Sequence, residues 1–424
     1  MLPFSFIHAA DFHLDTPFAG LSRLPDQHSR IHGELKEATF KAFENVIDLC
    51  FQRSVDFLLV AGDVYDSSQR SLRAQIRFRD GLKRLSDAGI RSYVIHGNHD
   101  PLDGWLDTIR MPDGVHVFGP VIRSVVHEKE GEAIARIHGI SYPTRRIGKR
   151  FGLGFQREGD EKYQIGLFHC HMGANPWHDE YAPRAASQLA KANLDYWALG
   201  HIHELQVHSR ERPFIAHSGN TQGRHMQEKG PRSVLHVRVD EEGHLPEEPE
   251  SVQVDAVRWL TESVSITGLD TTEELLEKLE QLQESLIAAA EGRPVVARIR
   301  LEGYGPLHRS LSRPNAQEDL ALNFRDTGTN REPFVWLERL EVQTSPDVDV
   351  AARRQSEDFL GDLLKLVEEM RKSPAKREEL MESLSSIYDH SRAGRNLTEL
   401  DEEQLLALLA EAEERCVEIF VEPR

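Results

Sequence analysis

The sequence has 424 residues, enough for two or three domains at roughly 150 residues per domain. Hydrophobic residues make up 39% of it, no apolar run approaches the roughly 18 residues of a membrane span, and the scattered cysteines Cys50, Cys170 and Cys416 favour a reducing compartment, so we expect a soluble cytoplasmic protein. The formal net charge of −19 argues against a surface that attracts nucleic acid everywhere, although a local basic groove remains compatible with it.

Strands and helices alternate in the first part of the chain. The predicted elements, in order, are a strand over 4–9, a helix over 37–53, a strand over 57–60, a helix over 71–87 and a strand over 93–95. This alternation predicts an α/β layered domain whose ligands collect at the carboxyl ends of the strands. Beyond residue 115 the pattern changes to short strands, including 121–126 and 133–140, which predict a second sheet packed on the first.

Polar motifs follow directly after five of the predicted strands. Gly97-Asn98-His99-Asp100 comes after the strand 93–95 and before Pro101, so an amide, an imidazole and a carboxylate enter one loop together. The other four motifs are Asp11-Phe12-His13, Gly62-Asp63-Val64-Tyr65-Asp66, His169-Cys170-His171 and Gly200-His201-Ile202-His203. Each motif alone is compatible with ordinary turn chemistry. Their joint occurrence at strand ends predicts one shared site.

The candidate ligands at these strand ends combine imidazole nitrogen with carboxylate and amide oxygen. They are Asp11, His13, Asp63, Asn98, His169, His201 and His203, with His99 and Asp100 alongside. Such a set suits manganese, iron or zinc better than a calcium site made of oxygens alone. Two ions about 3.5 to 4 Å apart need a bridging ligand, and the carboxylate of Asp63 or Asp11 would supply it.

One question about the histidines remains open at this point. Both His169 and His171 are candidates for the same ligand position, although the position at the strand end favours His169. Four further histidines are assigned to ordinary surface or core positions, namely His8, His28, His32 and His225.

The C-terminal part of the sequence predicts two more regions after an acidic, proline-containing linker at 240–250. We expect a first domain over 1–245, a small α+β capping domain over 255–345, and a helical, acidic region over 346–424. The last predicted helix, capped by Thr398 with Asp401, carries an apolar stripe of Leu405, Leu406, Leu409 and Ala412. This stripe packs either on the protein's own body or on a partner.

The ordered motifs resemble those of the calcineurin-like metallophosphoesterases. Within that superfamily the chain is similar to the bacterial DNA repair exonucleases of the SbcD type, particularly the YhaO-like branch, and the motifs cover roughly residues 1 to 240. The resemblance implies a four-layer α-β-β-α sandwich and a hydrolase that cleaves phosphodiester bonds in DNA as an exonuclease or endonuclease. It also implies two divalent metal ions, with manganese expected first and iron or zinc as alternatives.

The resemblance further implies a role for each motif residue. One ion would be held by Asp11, His13, Asp63 and His203, and the other by Asp63, Asn98, His169 and His201, so that Asp63 bridges. His99, oriented by Asp100, would protonate the leaving oxygen or stabilise the transition state. Archaeal and eukaryotic relatives carry histidine at the position of Asp66, so a second catalytic imidazole is absent here and Asp66 is expected to do no more than support the site.

Two clusters of basic residues are candidates for contacts with DNA phosphates. One consists of Arg70, Arg73 and Arg77 on a helical face, and the other of Arg145, Arg146, Lys149 and Arg150 in a loop. Because such clusters are often simply solvated, DNA as the substrate rests on the resemblance.

The family also implies a partner, an SMC-like ATPase with a long coiled coil that would bind through residues 346–424, while homodimer formation stays open. Two other hypotheses are kept. The chain would act as a phosphodiesterase on nucleotides or small phosphoesters, or it would be a non-catalytic scaffold.

Overall fold

The structure is a computed structural model that describes residues 1–18, 29–66, 71–103, 109–148, 151–173, 185–313, 315–348, 350–390 and 400–420. The chain divides into two compact units. The first comprises 1–261, 283–298 and 325–338, and the second comprises 262–282, 299–324 and 339–424. The three-part organisation expected from the sequence stays a prediction. No helix in the described part of the chain has the length and apolarity needed to cross a membrane.

Two six-stranded sheets form the centre of the first unit. The strands are β1 Phe4–Ala9, β2 Phe57–Ala61, β3 Arg91–Ile95, β4 Val115–Val117, β5 Arg123–Lys129, β6 Glu132–Gly139, β7 Tyr163–His169, β8 Tyr196–Gly200, β9 Gln206–Ser209, β10 Phe214–His217, β11 Ser233–Val239 and β12 Glu250–Gln253. The first sheet has the order β12-β11-β1-β2-β3-β4, and the second has the order β5-β6-β7-β8-β10-β9. Strands β1 to β4 are mutually parallel, and so are β6, β7, β8 and β10.

The two sheets pack face to face through aromatic side chains. Phe6 of β1 stacks on Phe57 of β2 with ring centres 5.0 Å apart, and the ring of Tyr196 from β8 is perpendicular to that of Phe6 with ring centres 5.3 Å apart. Leu167 of β7 and Tyr93 of β3 belong to the same buried cluster. Because alternate residues of a strand point to opposite faces, the central strands must be apolar on both sides, which explains their continuous apolar runs.

Helices cover the outer faces of the sandwich. Helices α1 Ser29–Gln52 and α2 Leu72–Asp87 pack on the first sheet, where Phe43 and Phe78 join Leu58 and Val60 in one cluster. On the outer face of the second sheet, Leu189 of the short helix α3 Ala186–Ala190 packs in the same cluster as Trp197. The result is the four-layer α-β-β-α sandwich, so the expected fold class is confirmed.

A third sheet has the order β13-β14-β15. Its strands are β13 Arg258–Ser265, β14 Val295–Tyr304 and β15 Val335–Ser345, and the helices between them are α4 Thr272–Ala289, α5 Leu307–Leu311 and α6 Ala316–Thr329. This succession of strands and helices agrees with the α+β composition predicted for residues 255–345.

Four helices follow in the second unit. They are α7 Val350–Arg354, α8 Phe359–Lys372, α9 Pro374–His390 and α10 Glu402–Phe420. Leu405 and Leu409 of α10 pack with Val367 of α8, so the apolar stripe lies against the protein's own helices. Ala412, which was expected in that stripe, is exposed, and Glu413 is buried in the neighbouring position.

The first turn of α10 is capped by Asp401. Its carboxylate accepts a hydrogen bond from the Gln404 amide at 2.8 Å, and the Gln404 side chain accepts one from the Asp401 amide at 3.0 Å. Asp401 is thus the N-cap of the helix. Thr398, the other residue predicted for this cap, lies outside the described residues.

Candidate metal centre

The five polar motifs meet at one end of the sandwich because the strands that precede them are parallel within each sheet. Loops after β1 and β2 are joined by hydrogen bonds from the Asp11 amide to the Gly62 carbonyl at 3.0 Å and from the His13 amide to the Asp63 carbonyl at 3.1 Å. In the second sheet, His169 at the end of β7 lies in register with Gly200 at the end of β8. The strand ends therefore bring residues far apart in sequence into one site.

Four of the candidate ligands have unusual backbone angles. The φ angles are 53° at Asp11, 44° at His13, 52° at Asp63 and 103° at His201, all in a region that non-glycine residues rarely adopt. Each such conformation costs on the order of 1 to 3 kcal/mol and persists only where the surrounding structure enforces it. Their concentration at the strand ends is typical of a functional site.

The potential ligand atoms form two groups. Asp11, His13 and His203 make the first group, and Asp63, His169 and His201 make the second, with the ligand atoms of each group within 4.8 Å of one another. Asp63 reaches both groups, since its Oδ2 lies 3.3 Å from His169 Nε2 and 3.9 Å from His13 Nε2. The position of Asp63 between the groups is the one that a bridging carboxylate requires.

Asn98 joins the second group through its side-chain oxygen. The Oδ1 atom lies 3.0 Å from His169 Nε2 and 3.1 Å from His201 Nδ1. The structure thus brings together all seven residues that the sequence singled out as candidate ligands.

The donor set fits divalent cations. In the first group, His13 Nε2 and His203 Nε2 point at each other across 3.2 Å, and His13 Nδ1 is buried without a hydrogen-bond partner. Burial raises the pKa of Asp11 to about 7, against the opposing effect of His169 and His203. Buried carboxylates and facing imidazole nitrogens are costly unless a cation satisfies them, and nitrogen with oxygen donors suits manganese, iron and zinc.

Asp63 and His169 interact directly, since Asp63 Oδ2 lies 3.3 Å from His169 Nε2. Burial alone would raise the pKa of Asp63, but the neighbouring His169, His99 and His13 hold it well below its usual range. Burial opposes protonation of His169, and the Asp63 carboxylate outweighs this effect and raises the pKa of His169 to about 9.

His169, rather than His171, belongs to the group of ligand atoms. His169 Nδ1 donates a hydrogen bond to the Ala61 carbonyl at 2.9 Å, which leaves Nε2 to face Asp63. The ring centre of His171 lies 6.0 Å from that of His201, and His171 is in neither group.

Asp100 does not face His99, so the expectation that it orients this imidazole is wrong. One of its oxygens accepts a hydrogen bond from the Gly97 amide at 2.7 Å, and the other accepts from the Val64 amide at 2.9 Å and lies 3.0 Å from His96 Nδ1. The carboxylate is occupied by its own turn and by the neighbouring loop, as is common for aspartate in turns.

Asp66 is the carboxylate beside His99. Its Oδ1 lies 3.7 Å from His99 Nδ1, and the His99 amide donates a hydrogen bond to Asp63 Oδ1 at 2.9 Å. Burial opposes protonation of His99, but Asp66 and Asp63 together raise its pKa above the ordinary value. The ring centre of His99 lies 5.0 Å from that of His13, at the edge of the two ligand groups.

A second carboxylate that the sequence did not single out is Glu228. It lies 2.6 Å from His203 Nδ1 and is held there by the Arg224 amide, which donates to it at 2.8 Å. Burial would raise the pKa of Glu228, but His203 and Arg224 hold it below the usual value. Glu228 follows His203 by 25 residues in a segment without a recognisable motif, so only the folded chain reveals the contact.

A cavity of about 310 Å³ lies next to this pair. It is lined by His201, His203, Glu204, His225, Gln227 and Arg232 among others. His225, which the sequence assigned to an ordinary position, lies 3.4 Å from Glu228, whereas His8 is a core residue as expected.

The basic residues that were predicted to contact DNA differ from one another in their surroundings. Arg73 pairs with Glu37 and lies 3.5 Å from Asp15, and Arg77 pairs with Glu44 at 3.0 Å, so the charges of both arginines are compensated. Arg145 and Arg146 are exposed in the loop after β6. Arg70, Lys149 and Arg150 lie outside the described residues. Contact of any of these residues with DNA stays a prediction.

Comparison with known proteins identifies two family models along the chain. Calcineurin-like phosphoesterases match residues 4–205, and the middle domain of the metallophosphoesterase YhaO matches residues 259–345. The chain is 33% identical over 411 residues to a Bacillus subtilis protein described as an uncharacterized metallophosphoesterase, YhaO, with 96% of each chain covered.

Two nuclease relatives match a smaller part of the chain. The DNA double-strand break repair protein Mre11 of Thermoplasma acidophilum is 28% identical over 199 residues, which is 45% of this chain and 51% of that protein. A component of the Bacillus subtilis nuclease SbcCD is 24% identical over 249 residues, covering 50% of this chain and 60% of that component. The chain therefore spans only about half to three fifths of these two relatives.

Proposed function

Because the chain belongs to the calcineurin-like metallophosphoesterases of the YhaO type, we propose that it is a metal-dependent DNA exonuclease or endonuclease that hydrolyses phosphodiester bonds in DNA repair. The observation that supports this proposal best is the pair of ligand groups on either side of Asp63. The names of two relatives, a double-strand break repair protein and a nuclease component, support DNA as the substrate.

Two divalent cations are part of the proposal. Asp11, His13, Asp63 and His203 would hold one ion, and Asp63, Asn98, His169 and His201 would hold the other. When bound, the ions would supply Lewis-acid chemistry by lowering the pKa of a water and neutralising charge on the phosphoryl oxygens. Manganese is the proposed metal, and the same nitrogen and oxygen donors also suit iron or zinc.

The side chains around the ligands would donate a proton, orient the proton donor and position the ligands. His99 would donate a proton to the leaving oxygen, and Asp66 and Asp63 raise the pKa of its imidazole against the effect of burial. Asp66 would orient the ring through Nδ1. Asp100 would position the ligands Asn98 and Asp63 indirectly, because it holds the amides of Gly97 and Val64 beside them.

The experiment that tests the proposal is hydrolysis of linear double-stranded DNA with manganese, and with EDTA as the metal-free control. We expect manganese-dependent cleavage by the wild type and its loss in His99→Ala, by about 10²- to 10⁴-fold, the usual contribution of a general acid. His244→Ala, at a histidine whose side chain is 58% exposed, serves as the matched control and should cleave normally.

Other outcomes would support the remaining hypotheses. Cleavage of a small phosphodiester but not of DNA would favour a phosphodiesterase for nucleotides. Two observations also support this second candidate: Arg73 and Arg77 are already paired with glutamates, and the cavity beside the site has a volume of about 310 Å³. No activity on either substrate, with His99→Ala indistinguishable from wild type, would favour a non-catalytic scaffold.

We further propose that residues 346–424 bind an SMC-like coiled-coil ATPase. Supporting this, Phe359 of α8 and Phe420 of α10 are 66% and 43% exposed, and their rings lie 5.0 Å apart on the helical tail. Large exposed aromatic side chains are enriched at protein interfaces. Co-purification of the ATPase should be lost in a Phe359→Ser, Phe420→Ser double variant, whereas retention of the ATPase by this variant would contradict the contact.

A further inference from the structure

Glu228 is a buried carboxylate beside a proposed metal ligand and outside every motif of the sequence. Its side chain is only 5% exposed, and its contact with His203 Nδ1, at 2.6 Å, is the shortest that it makes among the described side chains. We propose that Glu228 is the positioning residue of His203 and that it turns the Nε2 atom of this ring toward a divalent cation. The inference rests on the proposed metal centre, but not on the identity of the substrate.

The tautomer of His203 follows from the chemistry of its partner. An ionised carboxylate only accepts hydrogen bonds, so His203 Nδ1 must carry a proton and donate it to Glu228. In the neutral ring the lone pair then lies on Nε2, the atom that faces His13 Nε2 at 3.2 Å. A carboxylate behind a ligating histidine fixes the ring and increases its basicity toward a metal.

The segment that carries Glu228 is anchored independently of the metal ligands' side chains. Arg232 donates hydrogen bonds to the carbonyls of His203 at 2.7 Å and Lys229 at 2.8 Å. The indole N–H of Trp259 donates a hydrogen bond to the Gly223 carbonyl at 2.9 Å, and the backbone carbonyl of Trp259 accepts one from the Gly230 amide at 2.8 Å. Because both ends of this segment are fixed, the position of Glu228 relative to His203 is fixed as well.

A purely structural role for Glu228 is the competing interpretation. The carboxylate also lies 3.4 Å from Arg224 Nη2 and 3.4 Å from His225 Nε2, as an ordinary buried ion pair would. These contacts are longer than the one to His203. A purely structural role predicts that replacing Glu228 lowers the stability of the protein without selectively weakening the binding of one ion. A metal titration separates the two interpretations.

The test is calorimetric titration of Mn²⁺ into the metal-free full-length chain, with no substrate present. For Glu228→Ala we expect one of two ions to bind about 10- to 100-fold more weakly, as for other carboxylates behind ligating histidines, while the second ion keeps its affinity. Glu228→Gln should lie between Ala and wild type, because its amide oxygen still accepts the hydrogen bond but carries no charge.

Glu204→Gln is the matched control because Glu204 is exposed and lines the same cavity. It removes the same charge and should bind both ions as the wild type does. Wild-type affinity of both ions in Glu228→Ala and Glu228→Gln would overturn the inference, and so would equal weakening by Glu204→Gln. A chain that binds Mn²⁺ but cleaves no DNA would contradict the proposed nuclease function alone.

Discussion

At the scale of single residues, His99 has one carboxylate neighbour that faces its ring and another that does not. Asp66 Oδ1 lies 3.7 Å from His99 Nδ1, whereas Asp100, its neighbour in sequence, binds the amides of Gly97 and Val64. A carboxylate that faces the imidazole affects proton transfer, and one that braces a ligand loop affects the geometry of the ligands. Replacing Asp66 and replacing Asp100 should therefore impair different properties of the protein.

Replacing Asp66 by Asn should lower kcat for phosphodiester cleavage by roughly ten- to a hundredfold, with little change in KM or in Mn²⁺ affinity, because the ring loses its charged partner. Replacing Asp100 by Asn should instead weaken Mn²⁺ binding, because one acceptor for the amides beside Asn98 and Asp63 becomes a donor. Steady-state kinetics and metal titration of both variants check this contrast, and identical defects would contradict the assignment of Asp66 to His99.

At the scale of elements, helices α8 and α10 each present one buried stripe and one exposed face. Leu360, Leu364 and Val367 of α8 are buried, while Leu366 of the same helix is 42% exposed. In α10 the stripe is interrupted by Glu413, which pairs with Arg354 at 2.6 Å and Arg371 at 2.7 Å. The small cluster that joins these helices depends on few side chains, so each should carry a large share of the helices' stability.

Leu364→Ala should destabilise the contact between α8 and α10 by about 2 to 5 kcal/mol, since the side chain is fully buried beside Leu360 and Val417. The matched replacement Leu366→Ala removes an exposed side chain and should change the free energy of unfolding by less than about 0.5 kcal/mol. Hydrogen exchange of the amides in both helices, followed by mass spectrometry, measures the difference. Equal exchange in the two variants would show that the cluster does not hold the helices together.

At the scale of the whole molecule, closing the two sheets on each other buries histidines in the sandwich. His8 of β1 lies 3.1 Å from the Tyr196 hydroxyl and 3.1 Å from the Leu199 carbonyl, and His127 of β5 lies 2.9 Å from the Tyr93 hydroxyl. Burial lowers the pKa of His8 to about 3 and the pKa of His127 to about 4. Both rings are therefore neutral in the folded protein at neutral pH.

Stability should fall as the pH is lowered from about 6.5 toward 4, because the unfolded chain takes up protons at both histidines in this window and the folded chain does not. Each histidine should cost about 2 kcal/mol at pH 5 relative to neutral pH. Thermal melts of the metal-free chain at pH 7 and pH 5 should show a smaller loss of Tm for His127→Gln than for the wild type. The exposed His32→Gln serves as the control, and a His127→Gln variant as acid-sensitive as that control would contradict the prediction.

The sequence by itself predicted two packed sheets and the residues that meet at their strand ends, because both depend on local patterns, while the four-layer sandwich was implied by the family resemblance. Strands buried on two faces are mostly apolar, and the polar residues soon after Ala9, Ala61 and Ile95 then emerge at the same end of parallel strands. The choice of His169 over His171 followed from the same reasoning about strand ends.

Only the tertiary structure decided which side chains contact the candidate ligands and their neighbours. Asp66 rather than Asp100 faces His99, Glu228 stands behind His203, and Arg73 and Arg77 are paired with glutamates of α1. These contacts join residues 25 to 36 positions apart, as from Glu37 to Arg73 or from His203 to Glu228, and no repeat or spacing in the sequence encodes them. Which partner a polar side chain finds depends on how loops from different strands are packed together, because hydrogen bonds and ion pairs require an approach of about 3 to 4 Å in space.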